Sequence, residues 1–191
     1  MTSKPRRSNA ERAAQTRGTL LAAATELFGR LGYEGTSTIA VLEAAGLTRG
    51  ALYHHFADKR ELFRTVAEQV ERTLEAEVES RTAHISDPKK RLRSSVLLYL
   101  DEVSRSAPAR ILLRDAPAVL GAAEWQGLAD AAWMRHLGAI ADAARPRGKG
   151  GLLPLLIGAA IDRAALALAE GRLDPAAVKA SVRLLLDRLL D

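Results

Sequence analysis

The sequence has no cysteine in 191 residues, and only 4% of its residues are aromatic. The missing thiols exclude a disulfide scaffold and cysteine-ligated zinc or iron–sulfur sites, and we expect neither a metal nor a cofactor. No apolar run approaches the ~20 residues that span a bilayer, so we expect no membrane insertion. The basic first residues lack the apolar segment of a secretory signal, and we expect a cytoplasmic location.

The residues that are abundant favour helix. Hydrophobic residues make up 48% of the chain, and most of them are alanine and leucine, which prefer helix to strand. We therefore predict an all-α protein. Apolar periodicity and capping residues predict helices at about residues 9–31 (capped by Asn9), 58–80, 88–104, 108–120 (broken by Pro117), 122–144, 152–170 and 174–190, besides two short helices between the first two.

The two short helices lie within the stretch from Gly35 to Phe56. Ser37 is a good N-cap for the first, because its hydroxyl can accept a hydrogen bond from an unpaired amide of the first turn. Gly46 ends that helix, since glycine adopts the left-handed conformation without steric cost. Thr48 is the predicted N-cap of a second helix. Two short helices around a glycine turn are typical of a helix-turn-helix, whose second helix can enter a DNA major groove.

The stretch resembles the DNA-binding motif of the TetR family of transcriptional regulators, and the run from Ala45 to Lys59 is highly specific for it. The sequence departs from the family's pattern at Ile39 and Ala40, where family members often carry a charged residue. The resemblance covers roughly the first third of the chain and is carried by Gly35, Ser37, Ala45-Gly46-Leu47-Thr48, Gly50, Leu52-Tyr53-His54-His55-Phe56 and Asp58-Lys59.

The resemblance implies two domains. The first, residues 1–56, holds an N-terminal arm and a three-helix DNA-binding unit, and the connecting helix at about 58–80 is shared. The second, residues 81–191, is a helical domain for ligand binding and dimerisation. Asp58 is the predicted cap of the connecting helix, with Glu61 as its capping-box partner.

Several side chains of the motif suit contact with double-stranded DNA. Arg49 can reach a guanine edge or a phosphate. Gly50 lets the helix approach the duplex, at a cost of about 1 kcal/mol in helix propensity relative to alanine. The resemblance implies backbone or base contacts for Tyr53 and His54 and a phosphate contact for Lys59. The complete set of predicted DNA-binding residues is Ser37, Thr38, Thr48, Arg49, Gly50, Tyr53, His54 and Lys59.

The adjacent histidines His54 and His55 also raise the alternative of a metal site. Neighbouring side chains on a helix point about 100° apart, so the two cannot easily ligate one ion. The sequence therefore predicts no metal site here.

The positive charge is concentrated in the same segment. Of the formal net charge of +5, residues 1–64 carry +4 and the remaining residues carry +1. Such a segment attracts a polyanion through phosphate contacts and counterion release. The alternatives are that a small positive surplus only aids solubility, and that the basic arm at residues 1–8 is a solvated end rather than a minor-groove contact.

The last two predicted helices suggest self-association. The helix at 152–170 is apolar on nearly every side and must be buried on all its faces. In an isolated subunit the pair would leave apolar surface exposed, and pairing with a second copy would complete a four-helix bundle. The alternative is that both helices fill their own domain's core. The family resemblance also implies the bundle, so we expect a homodimer through the last two helices.

The second half also contains candidate residues for a pocket. Ligand pockets are largely apolar with a few placed polar groups, although tryptophan and methionine at helical spacing can equally be core. The resemblance implies an effector that releases the protein from DNA, and we expect a small apolar molecule. The candidate pocket residues are Arg110, Arg114, Trp125, Trp133, Met134 and His136.

The leading interpretation is a homodimeric, ligand-responsive repressor on a palindromic operator. One alternative is a DNA-binding dimer without an effector, and activation instead of repression is another. A helical enzyme with Asp115 and His136 as an acid–base pair is the third, but no nucleophile, phosphate-loop or metal motif accompanies that pair. We therefore predict that the protein is not an enzyme.

Overall fold

A computed structural model of the protein describes residues 8–144 and 152–190, and no strand occurs within these ranges. This confirms the predicted all-α class. The predicted loop at 145–151 and nearly all of the basic arm lie outside the described residues. The helices are α1 (Asn9–Gly35), α2 (Thr38–Ala45), α3 (Arg49–His55), α4 (Lys59–Thr82), α5 (Pro88–Val103), α6 (Ser106–Pro108), a π-helix (Ala109–Asp115), α7 (Ala116–Leu120), α8 (Ala122–Ala144), α9 (Leu153–Ala169) and α10 (Pro175–Leu190).

The chain divides into two compact units, the first ending at Val66 and the second beginning at Ala67. The division falls inside α4, which continues across it as one helix. Within the described ranges, no helix combines the length and hydropathy that crossing a bilayer requires.

The first unit begins with a capping box one residue earlier than predicted. The Ser8 hydroxyl accepts a hydrogen bond from the Glu11 amide at 3.2 Å, and the Glu11 carboxylate accepts one from the Ser8 amide at 2.8 Å. Ser8, not Asn9, is therefore the cap of α1, because this reciprocal pair satisfies two amides that the first turn leaves unpaired.

Helix α1 is interrupted near its end by Gly32, which has φ 78° and ψ 174°. This left-handed backbone favours glycine and redirects the chain before the short turn that ends at Gly35. The redirected segment places Tyr33 against two aromatic rings of the core. Its ring centroid lies 5.9 Å from that of Phe28 and 5.1 Å from that of Phe63.

In the second unit, α5 packs against α8, α9 and α10. Its start is fixed locally: the Asp87 carboxylate accepts a hydrogen bond from the Lys90 amide at 2.9 Å, and Pro88 occupies the first turn as predicted. The core around α5 consists mainly of aliphatic side chains, among them Leu92, Val96, Leu100, Ile111, Leu112, Leu137, Ile157 and Ile161.

The predicted break at Pro117 is wrong. The chain stays helical from Ser106 to Leu120, through a π-helix that passes directly into α7. Pro117 lies in the first turn of α7, where a missing amide donor is tolerated. The helix ends instead at Gly121, whose φ of 93° favours glycine.

A buried hydrogen bond joins α4 to α5 within the second unit. The Tyr99 hydroxyl donates to the Glu71 carboxylate at 3.2 Å, and both side chains are almost fully buried. Burial raises the pKa of Tyr99 well above its usual 10.0, and the nearby carboxylate of Glu71 adds to that shift. The phenol therefore remains a donor at neutral pH.

Candidate nucleic-acid interface

Helix α2 begins and ends as its sequence predicts. The Ser37 hydroxyl accepts a hydrogen bond from the Ala40 amide at 3.0 Å. At the other end Gly46 adopts the left-handed conformation with φ 64°, and the Leu47 amide reaches back to the Leu42 carbonyl at 3.0 Å. These two local features fix the length of α2 and the tight turn that leads into α3.

Helix α3 is anchored from one side only. Leu52 is fully buried, and Phe56, directly after the helix, is nearly so. Thr48 occupies the N-cap position with an extended backbone, but its hydroxyl makes no capping hydrogen bond. The Thr48 side chain therefore does not cap α3, contrary to the prediction.

The opposite face of α3 is open. Arg49, Gly50, Tyr53 and His54 are all exposed, and they share a face because residues three and four apart on a helix are neighbours. The Arg49 guanidinium carbon lies 5.6 Å from the centroid of the Tyr53 ring. This contact holds a cation and an aromatic hydroxyl side by side on the exposed surface.

Gly50 is not required by packing inside the protein. A β-carbon added at this position meets nothing within 4 Å. Its backbone is an ordinary part of α3, so neither conformational strain nor crowding within the described residues explains a glycine there. A glycine on an open helical face is consistent with close approach by an external partner.

Two further cations of the first unit lie over aromatic rings. The Lys59 ammonium is 4.0 Å from the centroid of the Tyr33 ring, and the Arg17 guanidinium carbon is 5.1 Å from that of Phe56. The Phe56 ring is buried, and the half-buried Tyr33 ring packs against Phe28 and Phe63, so each cation lies over a ring that is held in place. Lys59 was a predicted site residue. From the sequence, Arg17 on the polar side of α1 is a candidate phosphate contact, with an ordinary surface charge as the alternative.

The start of α4 differs from the expected capping box in one bond. The Asp58 carboxylate accepts from the Glu61 amide at 2.7 Å, as predicted. The Glu61 carboxylate, however, accepts from the Ala57 amide at 2.5 Å rather than from the cap residue itself. Lys59 is thereby held at the first position of a well-capped helix.

The remaining predicted contact residues lie at the start of α2. Ser37 is exposed, and Thr38 is half-buried. Beside them Ile39 is 65% exposed, which is unusual for a large aliphatic side chain. The face next to the predicted contacts is therefore apolar where a charged residue would be expected in this motif.

The two adjacent histidines form a T-shaped pair with ring centroids 5.0 Å apart. Burial lowers the pKa of His55, with smaller contributions from His54 and Arg17. Among the side chains that the structure describes, no three from His, Cys, Asp or Glu are grouped as metal ligands would be.

The predicted pocket residues differ in burial and do not share one environment. Trp125 is buried in the core, Arg110 is half-buried and Arg114 is exposed. The side chains of Trp133, Met134 and His136 lie outside the described residues. A cavity in the second unit is lined by a different set of residues, from the turn between α4 and α5, the start of α5 and α8.

A protein-family model described as "Bacterial regulatory proteins, tetR family" matches residues 20–66. The matched segment runs from the core of α1 through the whole helix-turn-helix to the start of α4. It therefore includes every predicted DNA-binding residue.

Two curated proteins match a longer part of the chain than the family model does. The chain is 34% identical over 108 residues to the HTH-type transcriptional regulator AcrR of Shigella flexneri, covering 56% of this chain and 50% of that protein. It is 34% identical over 99 residues to the HTH-type transcriptional repressor AcnR of Corynebacterium glutamicum, covering 49% and 53%. The matched segment thus spans about half the length of these curated relatives.

A solved structure covers nearly the whole chain. The crystal structure of a TetR-family transcriptional regulator from Pectobacterium atrosepticum is 33% identical, covers 96% of both chains and has a TM-score of 0.74. All three relatives are described as transcriptional regulators, which favours the regulator interpretation over the enzyme interpretation.

Proposed function

Because the chain belongs to the TetR family of transcriptional regulators, we propose that it is a repressor that binds a palindromic operator as a homodimer and is released by a small molecule. The proposal places it in the cytoplasm, where it meets DNA. The observation that carries it is the exposed face of α3, which is held on the buried anchors Leu52 and Phe56.

Each group on that face has a chemistry suited to a duplex. Arg49 supplies a planar donor for a guanine edge or a phosphate, and Tyr53 and Thr48 supply hydroxyls. Gly50 allows the backbone of α3 to lie close to the groove floor. Lys59, on its Tyr33 platform, supplies a fixed positive charge for a phosphate, with Ser37 and Thr38 as further polar contacts.

The homodimer is supported by apolar surface on the last two helices. Leu156 on α9 is 65% exposed, and Leu184 on α10 is 61% exposed, with Leu185 also open to solvent. One face of α9 is therefore not covered by its own chain, and the expectation of burial on every face holds only with a partner. Two copies joined through α9 and α10 would cover these side chains in a four-helix bundle.

Repression is favoured over activation because several relatives are described as repressors, whereas FasR of Mycolicibacterium smegmatis is described as a transcriptional activator. AcnR of Corynebacterium glutamicum is a transcriptional repressor, while AcrR of Shigella flexneri is described only as a regulator. A ligand would release the dimer from DNA if it bound more tightly to an arrangement in which the two α3 helices do not fit two successive major grooves.

Selection of bound fragments from a random DNA pool tests the proposal. We expect a two-fold symmetric consensus whose affinity falls steeply with salt. Tyr53→Ala should abolish selective binding while leaving thermal stability close to that of the wild type, because the side chain is exposed. An asymmetric consensus, or wild-type affinity in Tyr53→Ala, would contradict the proposal.

A further inference from the structure

A cavity of about 260 Å³ opens beside the turn that joins α4 to α5. Its walls are mainly aliphatic, with Ile85, Pro88 and Ile140 among them, and its polar lining comes from Ser86 and Arg91. The volume lies just below the range of about 300–1,000 Å³ typical of ligand sites, so it suits a small molecule.

Arg91 is the charged group of this cavity, and its hydrogen-bonding capacity is only partly used. Its Nη2 donates to the Glu79 carboxylate at 2.6 Å. Its Nε is buried, and no acceptor among the described residues reaches it. The Arg91 side chain is 26% exposed, so a ligand would reach its exposed nitrogens rather than the buried Nε, and a guanidinium can bind a second carboxylate along another edge.

The charges around Arg91 also favour an anion. Lys89, Lys90 and Arg91 occupy consecutive positions in the first turns of α5, where the helix dipole favours negative charge rather than positive. Asp87 is the acidic residue at this helix start, and its carboxylate is engaged by the Lys90 amide. An anion in the cavity would offset this accumulation of positive charge.

We propose that the cavity binds a small carboxylic acid with an apolar body. The carboxylate pairs with Arg91 in addition to Glu79, and the apolar body lies against Ile85 and Ile140. For its role as the releasing effector this inference rests on the proposed function, whereas binding itself does not depend on it.

The position of the cavity explains how such a ligand would act on DNA binding. The end of α4 contacts α5 through the Arg91–Glu79 ion pair, through the Arg81–Glu102 ion pair at 3.3 Å, and through the Ser95 hydroxyl, which donates to the Thr82 hydroxyl at 3.1 Å. A second carboxylate on Arg91 shares the guanidinium with Glu79 and so weakens one of these three contacts. Because α4 begins at Lys59, the contact altered by the ligand belongs to the same helix as a predicted DNA contact.

Calorimetric titration of the full chain with octanoate, and with octanamide as its neutral isostere, tests the site. Octanoate should bind saturably and at least tenfold more tightly than octanamide, since an ionic hydrogen bond is worth that much. Arg91→Gln should weaken octanoate at least tenfold. Arg93→Gln is the matched control, because Arg93 pairs with Asp187 and does not line the cavity.

A second variant blocks the cavity without removing Arg91, so that a loss of octanoate binding cannot be attributed to misfolding of a single variant. Ala143 is an exposed residue that lines the cavity, so Ala143→Phe should obstruct octanoate with little effect on thermal stability. Failure of octanoate to bind, or equal binding by Arg91→Gln and Arg93→Gln, would overturn the site.

Because operator binding without octanoate is measured separately, failure of octanoate to bind is distinguishable from failure of the proposed function. Octanoate that binds through Arg91 should also weaken operator binding at least tenfold, and an unchanged operator affinity would overturn its role as effector.

Discussion

The ammonium of Lys59 lies 4.0 Å from the centroid of the Tyr33 ring, directly over a ring that packs against Phe63. The contact joins the first residue of α4 to the segment that Gly32 redirects out of α1. A flexible lysine is thereby restricted before any partner arrives, which reduces the entropy that a phosphate contact would otherwise cost.

Replacing this lysine should change the electrostatics of DNA binding. We expect Lys59→Gln to weaken binding to all DNA sequences similarly and to reduce the slope of log K against log salt by about 0.9, the loss of one phosphate contact. Fluorescence anisotropy across a salt series measures the slope. Lys90→Gln removes the same charge from an exposed position on α5 and should leave the slope unchanged. A sequence-dependent loss in Lys59→Gln would assign the residue to base readout instead.

Gly50 offers a prediction in which stability and binding move in opposite directions. Because an added β-carbon meets nothing within 4 Å, Gly50→Ala should stabilise the free protein by roughly 0.5–1 kcal/mol through helix propensity. The same methyl group should weaken operator binding by keeping α3 away from the duplex. Chemical denaturation and anisotropy measure the two effects.

The control for Gly50 is Gly127→Ala, on an equally open site of α8. It should stabilise the protein by a similar amount with no change in operator affinity. If Gly50→Ala bound the operator as tightly as Gly127→Ala does, close approach by α3 would be disproved.

The exposed leucines of the last two helices give a prediction about assembly. Leu156→Glu or Leu184→Glu should raise the dissociation constant of the dimer more than tenfold, because each places a charge in a surface that is apolar and closed only by the partner. Sedimentation velocity over a concentration series measures this. Leu31→Glu makes the same change at a leucine of α1 that is also exposed, and should leave assembly unaffected. Unaltered dimers in both test variants would exclude this interface.

The buried Tyr99–Glu71 bond gives a prediction about pH. The pKa of Tyr99 is raised in the folded state, so the folded protein holds the phenol proton more tightly than the unfolded chain does. The resulting stability is complete below pH 10 and is lost as the pH rises from there toward the folded-state pKa. The free energy of unfolding of the wild type should therefore fall more steeply above pH 10 than that of Tyr99→Phe.

At pH 7, Tyr99→Phe should lose roughly 1.5–3 kcal/mol, the value of a hydrogen bond to a charged group. Urea denaturation between pH 7 and 11 follows both effects, and Tyr53→Phe, on an exposed ring, controls for the substitution itself. Parallel pH profiles of the wild type and Tyr99→Phe would show that Tyr99 is not the titrating group.

The features that were predicted correctly are those determined by a few neighbouring residues. Ser37, Gly46 and Asp58 end or begin helices through contacts within four residues, so their identity is enough to place them. The Ser8–Glu11 capping box has an equally local signal, a serine followed three residues later by a glutamate, and choosing Asn9 overlooked it. Helix boundaries of this kind can be predicted from the sequence.

Features that depend on tertiary packing could not be read in this way. Nothing local distinguishes Pro117 as a helix breaker from Pro117 in the first turn of a continuing helix, because the preceding π-helix is set by how that segment packs. The cavity beside Arg91 likewise needs three elements to meet, and its residues have no common sequence pattern. The platform of Lys59 depends on Tyr33 and Phe63, which are separated by 30 positions.

The boundary between the two compact units falls inside α4 and not in a loop, which limits how such proteins can be recombined. An α-helix turns by about 100° and advances by about 1.5 Å for every residue. Inserting one residue between Val66 and Ala67 would therefore rotate every later side chain of α4 out of phase with the helix surface that precedes it. A chimaera that joins the first unit of this chain to the second unit of another regulator would have to preserve the helical phase of α4 across that junction.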